Sequence, residues 1–342
     1  MPRVLVTGYG GFLGRHVASQ LLAAGFSVRG LARGGYPELV ERGVEPVQGS
    51  IADRATVMRA VSGCDAIVHT AAKAGVWGRW QEYYQANTLA TSHLLEAAVR
   101  HRVRALVYTS SPSVTFDGQP QRGVDERAPY PTRWLAHYPR TKALAEQAVL
   151  GLAVEGILPA CALRPHLIWG AGDPHLFPRV IERAVAGKLR RVGDGRNLID
   201  VVHVESAAQA HVAALQRLLD GDSQVNGRAF FLTDGAPIAC WDWISQILQG
   251  AEVPVPQRSI SFAAAYRIGA VFEATYALLR RRQEPPMTRF VAAQLALDHY
   301  FSIDAARRAL GYSPLANRPE VFRDCLPWLR GLASQYSSTV GR

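Results

Sequence analysis

The chain has 342 residues, 48% hydrophobic and 19% charged, with no repeat or low-complexity tract. That balance excludes a disordered chain and supplies core for two domains or one large α/β domain. The formal charge is +10, yet only Lys73, Lys142 and Lys188 are lysines, and the arginines are scattered without a basic arm or finger motif, so nucleic acid is not an expected partner.

Arg3–Thr7 reads as a buried strand, and Phe12–Ala24 carries apolar residues at helical spacing. Val28–Ala32, Val44–Gln48, Ala66–Thr70 and Ala105–Thr109 are further strands, each separated by a helical segment. A loop over Pro112–His137, a helix over Pro139–Val154 and a strand over Ala160–Arg164 follow. Short, nearly all-apolar strands alternating with helices predict a parallel sheet covered on both faces. After Pro165 the alternation breaks down, although Asp200–Val204 and Ala229–Leu232 still read as sheet strands. Leu176–Gly187, Ser206–Leu219, Phe262–Leu279, Thr288–Leu297 and Asp304–Leu310 read as helices. The expected architecture is α/β: a doubly wound parallel Rossmann sheet over residues 1–165, then a smaller, mostly helical substrate domain over residues 166–342. The last sheet strands, in the stretch from about 189 to 233, interleave with that second domain.

Between the first strand and helix stands Thr7-Gly8-Tyr9-Gly10-Gly11-Phe12-Leu13-Gly14. Gly8 permits a tight turn, Gly11 lets backbone approach a pyrophosphate, and Gly14 allows close helix–strand contact. Phe12 and Leu13 open the helix whose N-terminus would face the phosphates. A dinucleotide site is therefore expected here. The second strand ends Leu31-Ala32-Arg33-Gly34-Gly35, with no acid before Glu38. A site for NAD wants an acid at that point to accept from the ribose hydroxyls, whereas a cation suits the extra phosphate of NADP(H). Arg33 thus points to NADP(H), the alternative being one more arginine on a solvated face.

Tyr138-Pro139-Arg140-Thr141-Lys142 sets a phenol and an ammonium four residues apart, on one face of a helix. With 12 Tyr and three Lys in the chain, chance supplies about 0.1 such pair. A free phenol is a poor proton donor or acceptor at neutral pH, so Lys142 is expected to lower the Tyr138 pKa. Ser110 and Ser111 end a strand at the carboxyl edge of the sheet, where ligands of such folds bind. Ser111 is the hydroxyl expected to hold a substrate oxygen, with Ser110 structural. The catalytic set is therefore Ser111, Tyr138 and Lys142, the last two also touching the cofactor. The four cysteines lack paired spacing and the ten histidines lack metal spacing, so no metal site is expected.

In these motifs the chain resembles the extended short-chain dehydrogenases/reductases. The resemblance rests on Gly8, Gly11 and Gly14, the strand end Val68-His69-Thr70-Ala71-Ala72, and Asn87. It continues through Ser111, Tyr138 and Lys142 to Leu163-Arg164-Pro165 and Gly170-Ala171-Gly172-Asp173. It implies cofactor contacts at Ala71, at Lys73, and along Pro165, Leu167 and Ile168. An Asp usual beside the adenine is Ser50 here, which moves those contacts to Ile51 and Asp53. Three stretches, 72–78, 164–174 and 284–290, are similar to the 3β-hydroxysteroid dehydrogenase branch and more so to bacterial 2-alkyl-3-oxoalkanoate reductases. That likeness implies reduction of the 3-keto group of a long-chain 2-alkyl-3-keto acid with NADPH, in olefin biosynthesis. The rival activities are a steroid or sterol-carboxylate 3-dehydrogenase and a sugar-nucleotide epimerase, which share the fold and the catalytic trio.

A hydrophobic substrate with a carboxylate suits the aromatic residues Trp77, Trp80, Tyr83, Tyr84, Trp169 and Phe177, expected beside the site. Arg79 or His166 would meet the carboxylate. Phe262–Leu279 is apolar except for Arg267 and Glu273 and ends in Arg280-Arg281-Arg282. Three readings stand open for it: a buried helix lining an acyl pocket, a docking face for another enzyme of the pathway, or an interfacial membrane helix. A second copy of the chain is a further expected partner. Apolar residues begin at Val4, so no leader is expected and the cytoplasm is the expected location.

Overall fold

The computed structural model describes residues 1–314 and 317–340; residues 315, 316, 341 and 342 of the expected second domain lie outside these. Successive side chains of a strand face opposite sides of a sheet, so strands apolar throughout need cover on both. Seven strands build the sheet: β1 (Arg3–Thr7), β2 (Ser27–Ala32), β3 (Glu45–Gln48), β4 (Ala66–His69), β5 (Ala105–Thr109), β6 (Ala160–Pro165) and β7 (Ala229–Leu232); all but the exposed edge strand β3 are mostly apolar and buried. They form one parallel sheet in the order β7-β6-β5-β4-β1-β2-β3. On one face Val4, Val6, Val68 and Val107 pack with helices Phe12–Ala23 and Val204–Leu219. On the other, Leu5, Ile67 and Leu106 meet helices Arg54–Val61, Ala90–Arg100 and His137–Val154. The direction of winding reverses between β1 and β4, and the crevice beyond the carboxyl ends of those strands is where such sheets bind ligands.

The second half contributes β7 to the sheet and builds its own core from Trp169, Phe177, Ile181, Trp243, Ile247 and Leu329. Of Asp200–Val204, expected as one sheet strand, only Val202–His203 is a strand, and Val204 opens a helix. Leu198–Ile199 and Val202–His203 pair in two small separate sheets, while β7 takes the edge beside β6. The extended run stops at His203 because its side chain caps helix Val204–Leu219, accepting from the Glu205 amide. The stretch 112–137 is more ordered than a loop. It holds a 3₁₀ turn at Pro112–Thr115 and a strand at Gln121–Val124, which pairs with His299–Phe301 far along the chain. Helices Cys240–Gly250 and Arg318–Val340 stand outside the expected set; the latter runs through Pro327, which reads as a breaker in sequence.

Candidate active site

The Gly8–Gly14 turn closes over the end of β1. Gly8 takes φ +70° and lies so close to β4 that a Cβ there would sit 2.9 Å from the Ala71 Cα. A Cβ on Gly14 would strike the Gly8 carbonyl. Both glycines are therefore required by the approach of helix, turn and strand at the switch point. No side chain caps the N-terminus of helix Phe12–Ala23, which leaves its first amides, Phe12 and Leu13 among them, for an anion. The turn thus fits the pyrophosphate of a dinucleotide.

Arg33 projects exposed from the end of β2 and makes no ion pair among the described residues. Asp53 has a different occupation: its carboxylate caps helix Arg54–Val61, accepting from the Ala55 and Thr56 amides. The bond from the Thr56 hydroxyl, with those from the two amides, holds it below the usual carboxylate range. Ile51 packs under the sheet edge with Val47 and Met58. Lys73 Nζ bonds Glu82 at 2.9 Å and lies over the Tyr83 ring, while Asn87 clamps the Lys73 backbone from both sides. Asn87 sits in a wide π-turn, Tyr84–Leu89, and also donates to Thr141 on the Tyr138 helix. Pro165 ends β6. Leu167 then adopts φ +43° and Ile168 pairs with Val202, turning the chain back past Phe12, close to which Gly170 lies.

Helix His137–Val154 starts after Ala136, so Tyr138 stands in its first turn, half-buried. Lys142, one turn on and buried, donates from Nζ to the Thr109 carbonyl at 2.5 Å, 4.1 Å above the Tyr108 ring. Ser111 begins the 3₁₀ turn after β5, its Oγ 2.9 Å from that of Ser113. Burial pushes the Tyr138 phenol up to about 12, with Ser111 pulling it back, and pushes the Lys142 ammonium down to about 7, with Glu146 opposing. The expected lowering of Tyr138 by Lys142 is thus not what the protein alone produces: the ammonium is committed to Thr109, and desolvation dominates both groups. His69 is likewise pushed down to about 3 by burial, with Lys142 adding to the effect. It accordingly serves as a neutral link between Thr7 and Thr91.

Three expected neighbours of the site lie elsewhere. His166 is buried, its ring 2.7 Å from His299, and burial drives it well below the ordinary imidazole range, so it offers no cation to a carboxylate. Trp169 and Phe177 fill the second core with Trp243. Trp80, Tyr83 and Tyr84 do gather at the start of the Tyr138 helix: Trp80 packs against Tyr84 and His137, and Tyr83 also faces His137. Arg79 is exposed beside them. What the sequence reading did not bring together are an apolar wall and a buried ion pair. Phe116, Phe290, Leu135, Val76 and Phe262 cluster around Ala136, two residues before the phenol. Glu146, fully buried one turn beyond Lys142, pairs with Arg164 of β6 and accepts from Tyr130 at 2.7 Å.

A phenol, a hydroxyl and a buried ammonium at the carboxyl edge of a doubly wound sheet, beside a glycine turn, define a nicotinamide-dependent oxidoreductase site. Residues 5–263 match the 3-beta hydroxysteroid dehydrogenase/isomerase family, and the chain belongs to that family, within the extended short-chain dehydrogenases/reductases. It is an NAD(P)-dependent oxidoreductase. It is 43% identical over 323 residues to a 2-alkyl-3-oxoalkanoate reductase of Stenotrophomonas maltophilia, covering 94% of this chain and 97% of that one. It is 41% identical over 326 residues to a 2-alkyl-3-oxoalkanoate reductase of Shewanella oneidensis, covering 94% and 84%. The fold is shared with UDP-glucose 4-epimerase from Brucella ovis in complex with NAD, at TM-score 0.73 and 24% identity, covering 96% and 99%.

Proposed function

We propose that the protein reduces the 3-keto group of a long-chain 2-alkyl-3-oxoalkanoic acid to the 3-hydroxy acid with NADPH, in cytoplasmic olefin biosynthesis. The observation that carries this reading is the similarity, over 94% of the chain, to two 2-alkyl-3-oxoalkanoate reductases. The apolar wall of Phe116, Leu135 and Phe290 beside Tyr138 suits alkyl chains better than a hydroxylated sugar.

A bound nicotinamide supplies the hydride. The Gly8–Gly14 turn holds the pyrophosphate, Lys142 the adjoining ribose, and Arg33 the 2′-phosphate. Ser111 donates to the ketone oxygen, and Tyr138 passes its proton to that oxygen as charge develops there. In the cofactor-free protein burial pushes the phenol up to about 12, which keeps it in the protonated form that reduction consumes but makes it a weaker donor. Arg79, exposed at the head of helix Trp80–Tyr83, meets the carboxylate.

The test is NADPH oxidation with a 2-alkyl-3-keto acid and a 3-ketosteroid in parallel, together with chromatography of a UDP-sugar incubated with the protein, since epimerisation consumes no net NADPH. Turnover of the keto acid alone is expected. Turnover of the steroid alone transfers the protein to the activity named by its family, and sugar epimerisation overturns the reading. Arg33→Asp should lower the NADPH/NADH ratio of kcat/KM about tenfold or more; an unchanged ratio removes Arg33 from the phosphate site.

A further inference from the structure

Ser111 and Ser113 stand at the 3₁₀ turn that follows β5, and the turn leaves their hydroxyls little freedom. The Ser111 Oγ accepts from the Ser113 amide at 3.3 Å and lies 2.9 Å from the Ser113 Oγ. Pro112 between them is buried and fixes the backbone there, and its carbonyl accepts from the Thr115 hydroxyl at 2.9 Å. Gln121 holds Thr115 in turn, donating to its carbonyl at 3.1 Å and to its hydroxyl at 3.0 Å. The Val114 amide donates to the Ser111 carbonyl, and the Phe116 amide to the Ser113 carbonyl. Two hydroxyls therefore project from one braced segment at a set separation.

Ser111 is the member of the pair that reaches Tyr138, whose phenol it pulls down. A ketone oxygen carries two lone pairs, and Ser111 with Tyr138 fills both. On an isolated ketone the Ser113 hydroxyl then finds no acceptor, and among the described residues its side chain is bonded to Ser111 alone. A 3-keto acid supplies a second oxygen. Its carboxylate is one carbon removed from the ketone carbon, and with both groups turned to the same side their oxygens lie about a hydrogen-bond length apart. That spacing matches the 2.9 Å between the two hydroxyls. Oxygens so placed repel each other, so the folded form needs two donors at this separation to hold it. A bond from Ser113 to an ionised carboxylate is about twice as strong as one to the neutral Ser111 hydroxyl, so the acid takes the Ser113 hydrogen. The other carboxylate oxygen is left for Arg79.

We propose that Ser113 is a specificity residue for the 3-keto acid unit: Ser111 holds the ketone oxygen and Ser113 one carboxylate oxygen, as a paired clamp. The clamp rests on the substrate reading given above and determines how that site tells a 3-keto acid from a plain ketone or a 3-ketosteroid. Phe116 ends the same turn, so the clamp and the apolar wall are built on one backbone segment.

The test compares, in NADPH oxidation by the full chain, a 2-alkyl-3-keto acid with the ketone that remains when it loses its carboxyl group. Wild-type kcat/KM should favour the acid by about tenfold or more, and Ser113→Ala should lower the acid-to-ketone ratio by about the same factor. Ser113→Thr keeps a hydroxyl and should keep most of the ratio. Thermal melts and NADPH titrations of both variants should match the wild type. An unchanged ratio in Ser113→Ala, with the acid still turned over, overturns the clamp and leaves the substrate reading standing; if both substrates slow together, Ser113 acts only by orienting Ser111. A ratio as low in Ser113→Thr as in Ser113→Ala, with both variants folded, also overturns it. Failure of the wild-type protein to turn over the acid removes the substrate reading, and the clamp with it.

Discussion

At the carboxyl edge of the sheet the protein buries charge; along Phe262–Leu278 it exposes hydrocarbon. Lys142, Glu146 and Arg164 lie buried around β5 and β6, where each ion lost its water on folding. Val271 and Leu278 stand mostly in solvent, where each gained little by folding. Both regions depart from the ordinary partition of side chains, in opposite senses. The first departure is compensated within the chain, through Thr109, Tyr130 and the Glu146–Arg164 pair. The second has no compensation within the described residues. The difference teaches where to look for chemistry: buried charge held by partners within the chain marks the place that receives a ligand, whereas exposed hydrocarbon by itself marks none.

The largest effect should come from the proton donor. Tyr138→Phe is expected to lower kcat about a thousandfold, with cofactor binding nearly unchanged. Steady-state turnover and cofactor fluorescence titration read the two quantities, and retained turnover would separate the buried charges from any chemistry. Next comes the ion pair. Glu146→Ala leaves Arg164 buried without its carboxylate and should cost about 3–5 kcal/mol in urea unfolding. Adding Arg164→Met should recover part of that loss, because no buried charge is then left unpaired. A cost no greater than that of an exposed pair would show that water reaches Glu146.

Lys142 supplies a smaller, pH-dependent effect in the cofactor-free protein. Its folded pKa is near 7, below the unfolded value of about 10.4, so folding favours the neutral amine. The resulting penalty is fully present below pH 7 and disappears as pH rises towards the unfolded value. The stability of the wild-type protein relative to Lys142→Met should therefore rise by about 2–3 kcal/mol between pH 6 and pH 9. Denaturant titrations at both pH values measure it, and a flat difference would mean that the ammonium keeps its charge at no cost.

Much of the charged region was legible in the sequence, and its limits are physical. Apolar runs marked β1, β2, β4, β5 and β6 because a doubly covered parallel strand is mostly apolar, whereas the edge strand β3 is exposed. Tyr138 and Lys142 stood out because lysine is scarce in this chain. Glu146 and Arg164 did not: they sit in different elements, and a buried carboxylate looks like a solvated one until its partner is placed beside it. The same is true of Phe116 and Phe290, which meet only in the fold, at 5.8 Å between ring centroids. His166 misled for the converse reason, since a histidine after an Arg-Pro pair looks available until His299 is brought against it. For Phe262–Leu278 the sequence displayed the apolar residues but not which way they face, and periodicity is uninformative when nearly every position is apolar.

The smallest expected effect is the most telling about that helix. A valine contributes to stability by the apolar area it removes from water, so one that remains in water contributes almost nothing. Val271→Ser should thus change unfolding free energy by no more than about 0.5 kcal/mol. Val107→Ser, in fully buried β5, should cost several times as much, because it loses a transferred side chain and buries a hydroxyl. If both cost the same, Val271 is packed in solution against something that travels with the protein, and the contrast between the two regions fails. If the expected inequality holds, the aliphatic side chains that face solvent along Phe262–Leu278 are not maintained by folding.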